Sequence, residues 1–141
     1  MSGAAGISHI TFIVRDLEKS ARIFTELLGA KEVYSSADDA PEGRSFSISH
    51  EKFFTLGGAW LALMQGEPLK ERTYNHVAFE ADAGDIAALK EKIAALGLEI
   101  KPGRPRIPGE GESVYFYDYD GHLFELHAGN FNDRLKKYFG K

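Results

Sequence analysis

The chain repeats itself, and that restricts its fold more than any other feature. His9-Ile10-Thr11-Phe12 is echoed by His76-Val77-Ala78-Phe79. In the first copy His9, Thr11 and Ile13 alternate with Ile10, Phe12 and Val14, the period-two signature of a strand with two distinct faces. Each strand is followed by a helical pattern. Asp16 is placed to cap a helix whose apolar positions are Leu17, Ala21, Phe24, Leu27 and Leu28, and Gly29 ends it in a left-handed conformation. The second helix spans residues 82–96, with Ile86, Leu89, Ile93 and Leu96 at helical spacing, and Gly97 closes it. Gly29 lies 20 positions beyond His9, and Gly97 lies 21 beyond His76. Such matched spacing points to two copies of one module.

Strand-like runs follow both helices. In the first copy they are residues 32–35, 45–49, 53–56 and 59–65, separated by a polar loop over 36–44 and a Gly57-Gly58 turn. In the second they are 98–101, 113–117 and 123–128, the last two meeting at Asp118-Tyr119-Asp120-Gly121. A short helix over 132–139 ends the chain. The expected organisation is one α+β domain over 1–141, with βαβββ modules at 7–66 and 74–129 and a terminal helix within 130–141.

Composition removes several classes of function. The 141 residues include no Cys, which excludes a disulfide framework, a Cys zinc site and a thiol nucleophile, so any metal must sit on His, Asp or Glu. A formal charge of −4 without a long Lys/Arg block gives no electrostatic footprint for nucleic acid or an anionic membrane. No apolar run approaches the roughly 20 residues of a membrane helix. The amino-terminal residues lack a basic stretch followed by an apolar one, so the expected address is cytoplasmic. Chemistry on a small molecule is the expectation that remains.

The repeat also selects candidate ligands. His9 and His76 hold the same place in the first strand of each module, so a pseudo-twofold arrangement brings both imidazoles toward one cleft. In the last strand Glu125 and His127 share a face opposite Phe124 and Leu126, which aims a carboxylate away from the apolar side. Two His and one Glu with open positions make an N/O ligand set that suits Mn, Fe(II), Ni or Zn. His127 reads as a ligand or as a hydrogen-bonding partner of one, whereas His50 and His122 read as ordinary loop residues. Glu51 is a surface acid unless burial beside Phe53 and Phe54 makes it a base. The loop 103–111, with Arg104 and Arg106, is either a solvated connection or an anion clamp. Arg134 either pairs with a carboxylate or covers apolar surface.

With those residues in place the chain resembles the vicinal oxygen chelate superfamily of glyoxalases, extradiol dioxygenases and bleomycin- and fosfomycin-resistance proteins. Three segments narrow the resemblance to its fosfomycin-hydrating branch: Ser49-His50-Glu51-Lys52-Phe53-Phe54, Glu71-Arg72-Thr73-Tyr74-Asn75-His76, and the run from Arg104 through Ser113, Tyr115 and Glu125 to Gly129. The likeness extends from Ile7 to Tyr138. It implies a cupped mixed sheet around a metal site and a domain-swapped homodimer, with His9 from one subunit and His76 and Glu125 from the other holding Mn(II). It also implies that Glu51 is the general base on water, that Thr11 stands near the metal, and that Ser113, Tyr115 and Arg134 hold the phosphonate. Arg104, Arg106 and Tyr74 then line the pocket. Glu112 departs from the pattern where a basic residue is expected.

The reaction so implied is addition of water to the epoxide of fosfomycin to give a vicinal diol. Three rivals share the fold. A thiol transferase would open the same ring but lacks the base at Glu51. An Fe(II) extradiol dioxygenase would use the same ligands on a catechol, and a metal-free drug-binding protein would need no ligand triad.

Overall fold

A computed structural model of the protein describes residues 2–38, 50–105 and 111–140. The expected strand at 45–49 and the centre of the loop 103–111 lie outside those residues. The chain forms two compact units, the first ending at Leu69 and the second beginning at Lys70.

The first unit is built as β1 (His9–Val14), α1 (Leu17–Arg22), β2 (Lys31–Ser35), β3 (Glu51–Leu56) and β4 (Ala59–Gln65), with strand order β1-β4-β3-β2. β1 runs parallel to β4, and the other pairs are antiparallel. Asp16 caps α1 as expected, its carboxylate accepting from the Lys19 amide at 3.0 Å. Beyond Arg22 the helix widens into a π-helical turn, Ile23–Leu27, closed by the Leu28 amide on the Ile23 carbonyl. The wider turn buries Ile23, Phe24 and Leu27 against the sheet. Gly29 then reverses the chain at φ +74°, a conformation that favours glycine. Phe12, Phe24 and Phe54 meet in the core, with ring centroids 6.1 and 5.1 Å apart along the chain of contacts.

One buried charge belongs to this core. Lys52 lies on the helix-facing side of β3 and reaches Glu32 at 3.2 Å and Glu18 at 3.3 Å, joining β3 to β2 and α1. Burial works against its positive charge, but the hydrogen bonds and charges of Glu32 and Glu18 outweigh it and raise its pKa above the ordinary lysine value. The strand carrying Glu51 is thus tied to two neighbours from behind.

The second unit repeats the plan. It contains β5 (His76–Glu80), α2 (Ile86–Ala95), β6 (Glu99–Lys101), β7 (Ser113–Tyr117) and β8 (Leu123–His127), in the order β5-β8-β7-β6. α2 begins later than residue 82 because Ala83–Asp85 form a 3-10 turn first. Ile86, Ile93, Val114, Phe116, Phe124 and Leu126 are buried on the helix side. Arg72 forks onto Glu99 at 3.0 and 3.2 Å while its guanidinium lies 3.8 Å over the Tyr117 ring, fixing the segment that leads into β5. That bond raises the Arg72 pKa and lowers that of Glu99. α3 (Phe131–Phe139) follows, capped by Asn130, and leaves Phe131, Leu135 and Tyr138 exposed at helical spacing.

The β7–β8 turn holds a pH-sensitive pair, His122 with Asp118. Asp118 accepts from the Asp120 and His122 amides and from His122 Nδ1 at 2.6 Å. Burial opposes the imidazolium, but the Asp118 bond and the charges of Asp118 and Asp120 prevail, so the His122 pKa is raised. A raised folded-state pKa contributes stability that is complete below the unfolded value of about 6.5 and is lost as pH rises through the folded value. We therefore expect the melting temperature of the metal-free protein to fall, relative to H122Q, as pH rises from about 6.5. Parallel pH profiles for the two proteins would exclude this pairing.

Candidate metal centre

Strand register decides which side chains share a surface. In the second unit the face away from α2 carries three rows. His76 lies beside Leu123 and Tyr117, Ala78 beside Glu125 and Tyr115, and Glu80 beside His127 and Ser113. The small Ala78 leaves room next to the Glu125 carboxylate. In the first unit the matching rows are His9 with Trp60 and Thr55, Thr11 with Ala62 and Phe53, and Ile13 with Met64 and Glu51.

His76 and Glu125 come together within the second unit, His76 Nε2 lying 3.2 Å from Glu125 Oε1. His76 Nδ1 is 2.7 Å from the Tyr74 carbonyl oxygen, which only accepts, so Nδ1 carries the proton. Nε2 then faces a carboxylate oxygen. Two electron-rich atoms at this separation require a proton or a cation between them, and an imidazole with a buried carboxylate is a donor set that first-row divalent ions favour. These residues fit a metal. Tyr74 and Tyr115 flank the ring, with centroids 4.8 and 5.5 Å from it.

Glu125 is 4% exposed, and its other oxygen, Oε2, accepts from the Ser113 hydroxyl at 2.6 Å. His9 belongs to the other unit, exposed on β1 with Thr11 on the same face. Among the described residues of one chain, no group of three or more His, Asp or Glu side chains is gathered closely enough to hold a metal.

Glu51 is buried, 9% exposed, and its backbone amide donates to Ser36 Oγ at 2.9 Å. Its row neighbours Met64 and Ile13 are apolar. The expectation that both Phe53 and Phe54 desolvate it needs correction. Phe54 points to the opposite side of β3 and packs on Phe24 in the core, because strand side chains alternate, so only Phe53 shares the Glu51 face. Phe53 stacks on Tyr34 at 4.9 Å and meets Trp60 at 5.4 Å. Trp60, whose place is set by the register between β1 and β4, thus stands beside His9.

Ser113 donates to Glu125 Oε2 at 2.6 Å and lies 2.7 Å from His127 Nδ1. Tyr115 is buried, with the Tyr74 hydroxyl 3.5 Å from its own. Arg104 donates to the Pro105 carbonyl at 3.0 Å, Arg134 is half-buried on α3, and Arg106 lies outside the described residues.

Fold and site together define a class. The model of the glyoxalase/bleomycin resistance protein/dioxygenase superfamily matches residues 6–126, and the chain belongs to that family. Within it, fosfomycin resistance protein FosX of Listeria innocua is 54% identical over 134 residues, covering 95% of this chain and 97% of the relative. Metallothiol transferase FosB of Bacillus licheniformis is 34% identical over 137 residues, covering 94% of this chain and 81% of that protein. A crystal structure of a FosX variant from Listeria monocytogenes, complexed with Mn(II) and 1S,2S-dihydroxypropylphosphonic acid, superimposes with a TM-score of 0.82 at 48% identity. That match covers 96% of this chain and 99% of the other.

Proposed function

We propose that this chain is a Mn(II)-dependent hydrolase that adds water to the epoxide of fosfomycin, giving the vicinal diol and conferring resistance. The observation that carries the reading is near full-length similarity to FosX proteins, one of them solved with Mn(II) and a dihydroxypropylphosphonic acid. The buried acid at Glu51 supports a hydrolase over the more distant thiol transferases.

In this reading His9, His76 and Glu125 hold the metal. When bound, the ion supplies Lewis acidity toward the ring oxygen and positive charge to a dianionic phosphonate. Glu51, with apolar neighbours on β1, β3 and β4, accepts a proton from water as the new C–O bond forms at C1 and the C1–ring oxygen bond breaks. The electron pair of the broken bond stays on the former ring oxygen, which takes up a proton to complete the diol. Thr11 lies on the His9 face and offers a hydroxyl to the reacting oxygen. Tyr74 and Tyr115 confine the His76 ring, while Arg134, Arg104 and Arg106 give charge-assisted bonds to the phosphonate.

The three ligands are divided between the two compact units, and we infer that a homodimer completes the site with His9 of one copy and His76 and Glu125 of the other. The exposed apolar stripe Phe131, Leu135 and Tyr138 on α3 supports contact with a second copy. Among the described residues no helix is long and apolar enough to cross a membrane.

Phosphorus NMR of fosfomycin with the protein and Mn(II), free of thiol, tests the function. Conversion to the diol phosphonate is expected. Substrate that persists until glutathione, cysteine or bacillithiol is added would identify a thiol transferase.

A further inference from the structure

We propose that Lys52 is a positioning residue for the hydration reaction, pinning a β-bulge in β2 that sets where Glu51 stands. This deepens the reading of Glu51 as general base, on which it rests. The register between β2 and β3 carries the argument. Lys31 lies opposite Thr55 and Glu32 opposite Phe54, but Tyr34 lies opposite Phe53 and Ser35 opposite Lys52. Val33 is the extra residue, so the ladder shifts by one place between Glu32 and Tyr34. Strand side chains alternate, and such a shift moves every residue beyond it to the other face. A ladder continued regularly from Glu32 would put Tyr34 opposite Lys52, on the helix side, and Ser35 opposite Glu51. With the bulge, Tyr34 instead stacks on Phe53 at 4.9 Å, on the Glu51 face, and the Glu51 amide donates to Ser36 Oγ at 2.9 Å.

Lys52 spans the irregularity. Its Nζ lies 3.2 Å from Glu32 Oε2, ahead of the bulge, and 3.4 Å from Ser35 Oγ, beyond it. A regular ladder would put Tyr34 in the place of Ser35, so the two bonds form together only with the bulge present. The third contact, Glu18 Oε1 at 3.3 Å, comes from a side chain 78% exposed and is weakened by water. An ion pair this deeply buried is often no more stabilising than apolar side chains of the same volume, so the value of Lys52, itself buried, lies in the arrangement its bonds select. The duplication provides an internal comparison. In the second unit the place of Lys52 is held by the buried Val114 and that of Glu51 by Ser113, and β6 pairs with β7 over residues 99–101 without a shift. The unit that presents no acid at this place has neither the buried lysine nor the bulge.

The test is a kinetic cycle of wild type, K52M, E51Q and K52M/E51Q, with E32A beside it, followed by phosphorus NMR of fosfomycin at saturating Mn(II) without thiol. Met keeps the length and apolar stem of Lys and removes its charge. Displacing a reacting group by about 1 Å can cost on the order of 100-fold, so K52M is expected to lose about 10- to 100-fold in kcat while the KM for fosfomycin and the Mn(II) affinity stay near wild type. That loss should disappear in the E51Q background, where no base remains to be misplaced. A role in folding alone would lower activity equally in both backgrounds. Wild-type kcat in K52M, or an equal loss with and without Glu51, overturns the proposal. Should K52M fail to fold, E32A, at a partly exposed position, decides by the same rule: a lowered kcat at unchanged KM is expected, and wild-type kcat overturns. Wild-type turnover in E51Q would overturn the general-base reading and this inference with it, a result distinct from an impaired E51Q beside an unimpaired K52M.

Discussion

Exchange of Glu51 for Gln is expected to lower thiol-free hydration by about 10²- to 10⁴-fold, the usual worth of a positioned general base, while Mn(II) affinity and substrate KM stay near their wild-type values. The amide keeps the volume and one acceptor oxygen but cannot take a proton from water. Its surroundings favour a clean result. Glu51 is held by its pairing with Met64 on β4 and by the Ser36 bond to its own amide, so the backbone has no cause to move. Met64 and Ile13 offer no polar group that would substitute as base. Steady-state kinetics by phosphorus NMR at saturating Mn(II) gives the measurement. Wild-type turnover in E51Q would remove Glu51 from the chemistry and leave its burial unexplained.

Glu125→Gln should act on the other half of the site. Here the expected loss is in Mn(II) affinity, and it should exceed the roughly 10- to 100-fold typical of partners one bond further out, because the anionic ligand itself becomes neutral. Stability of the metal-free protein should move differently. A carboxylate at 4% exposure is costly to bury, so its removal should leave the metal-free melting temperature unchanged or higher. The rise on adding Mn(II), which reports binding to the folded state alone, should shrink or vanish. Differential scanning calorimetry with and without Mn(II) separates these effects. An undiminished Mn(II)-induced rise in E125Q would count against the ligand set.

Much of this was legible in the sequence because repetition and alternation are local signals. The echo of His9-Ile10-Thr11-Phe12 at His76 announced two modules, and Gly29 and Gly97 marked the ends of both helices, each at positive φ. The period-two pattern of β8 places Glu125 on the face opposite Phe124 and Leu126. What stayed hidden depends on register between strands distant in sequence. Nothing in the order of residues reveals that Ser113 stands opposite His127, or that Trp60 stands beside His9. The same holds for Lys52, whose partners Glu18 and Glu32 come from a helix and another strand. Phe53 and Phe54 show a smaller version of the problem. Both lie close to Glu51 in sequence, but adjacent strand residues face opposite ways, and Phe54 belongs to the core.

The central claim is that one metal is gripped by His9 of one copy and by His76 and Glu125 of another. Subunit complementation tests it most directly. H9A and E125A should each be inactive alone, whereas co-refolding them should restore activity toward about a quarter of wild type, since half of the dimers are mixed and each holds one intact site of two. No recovery on mixing, with both variants folded and dimeric, would contradict a site shared between copies.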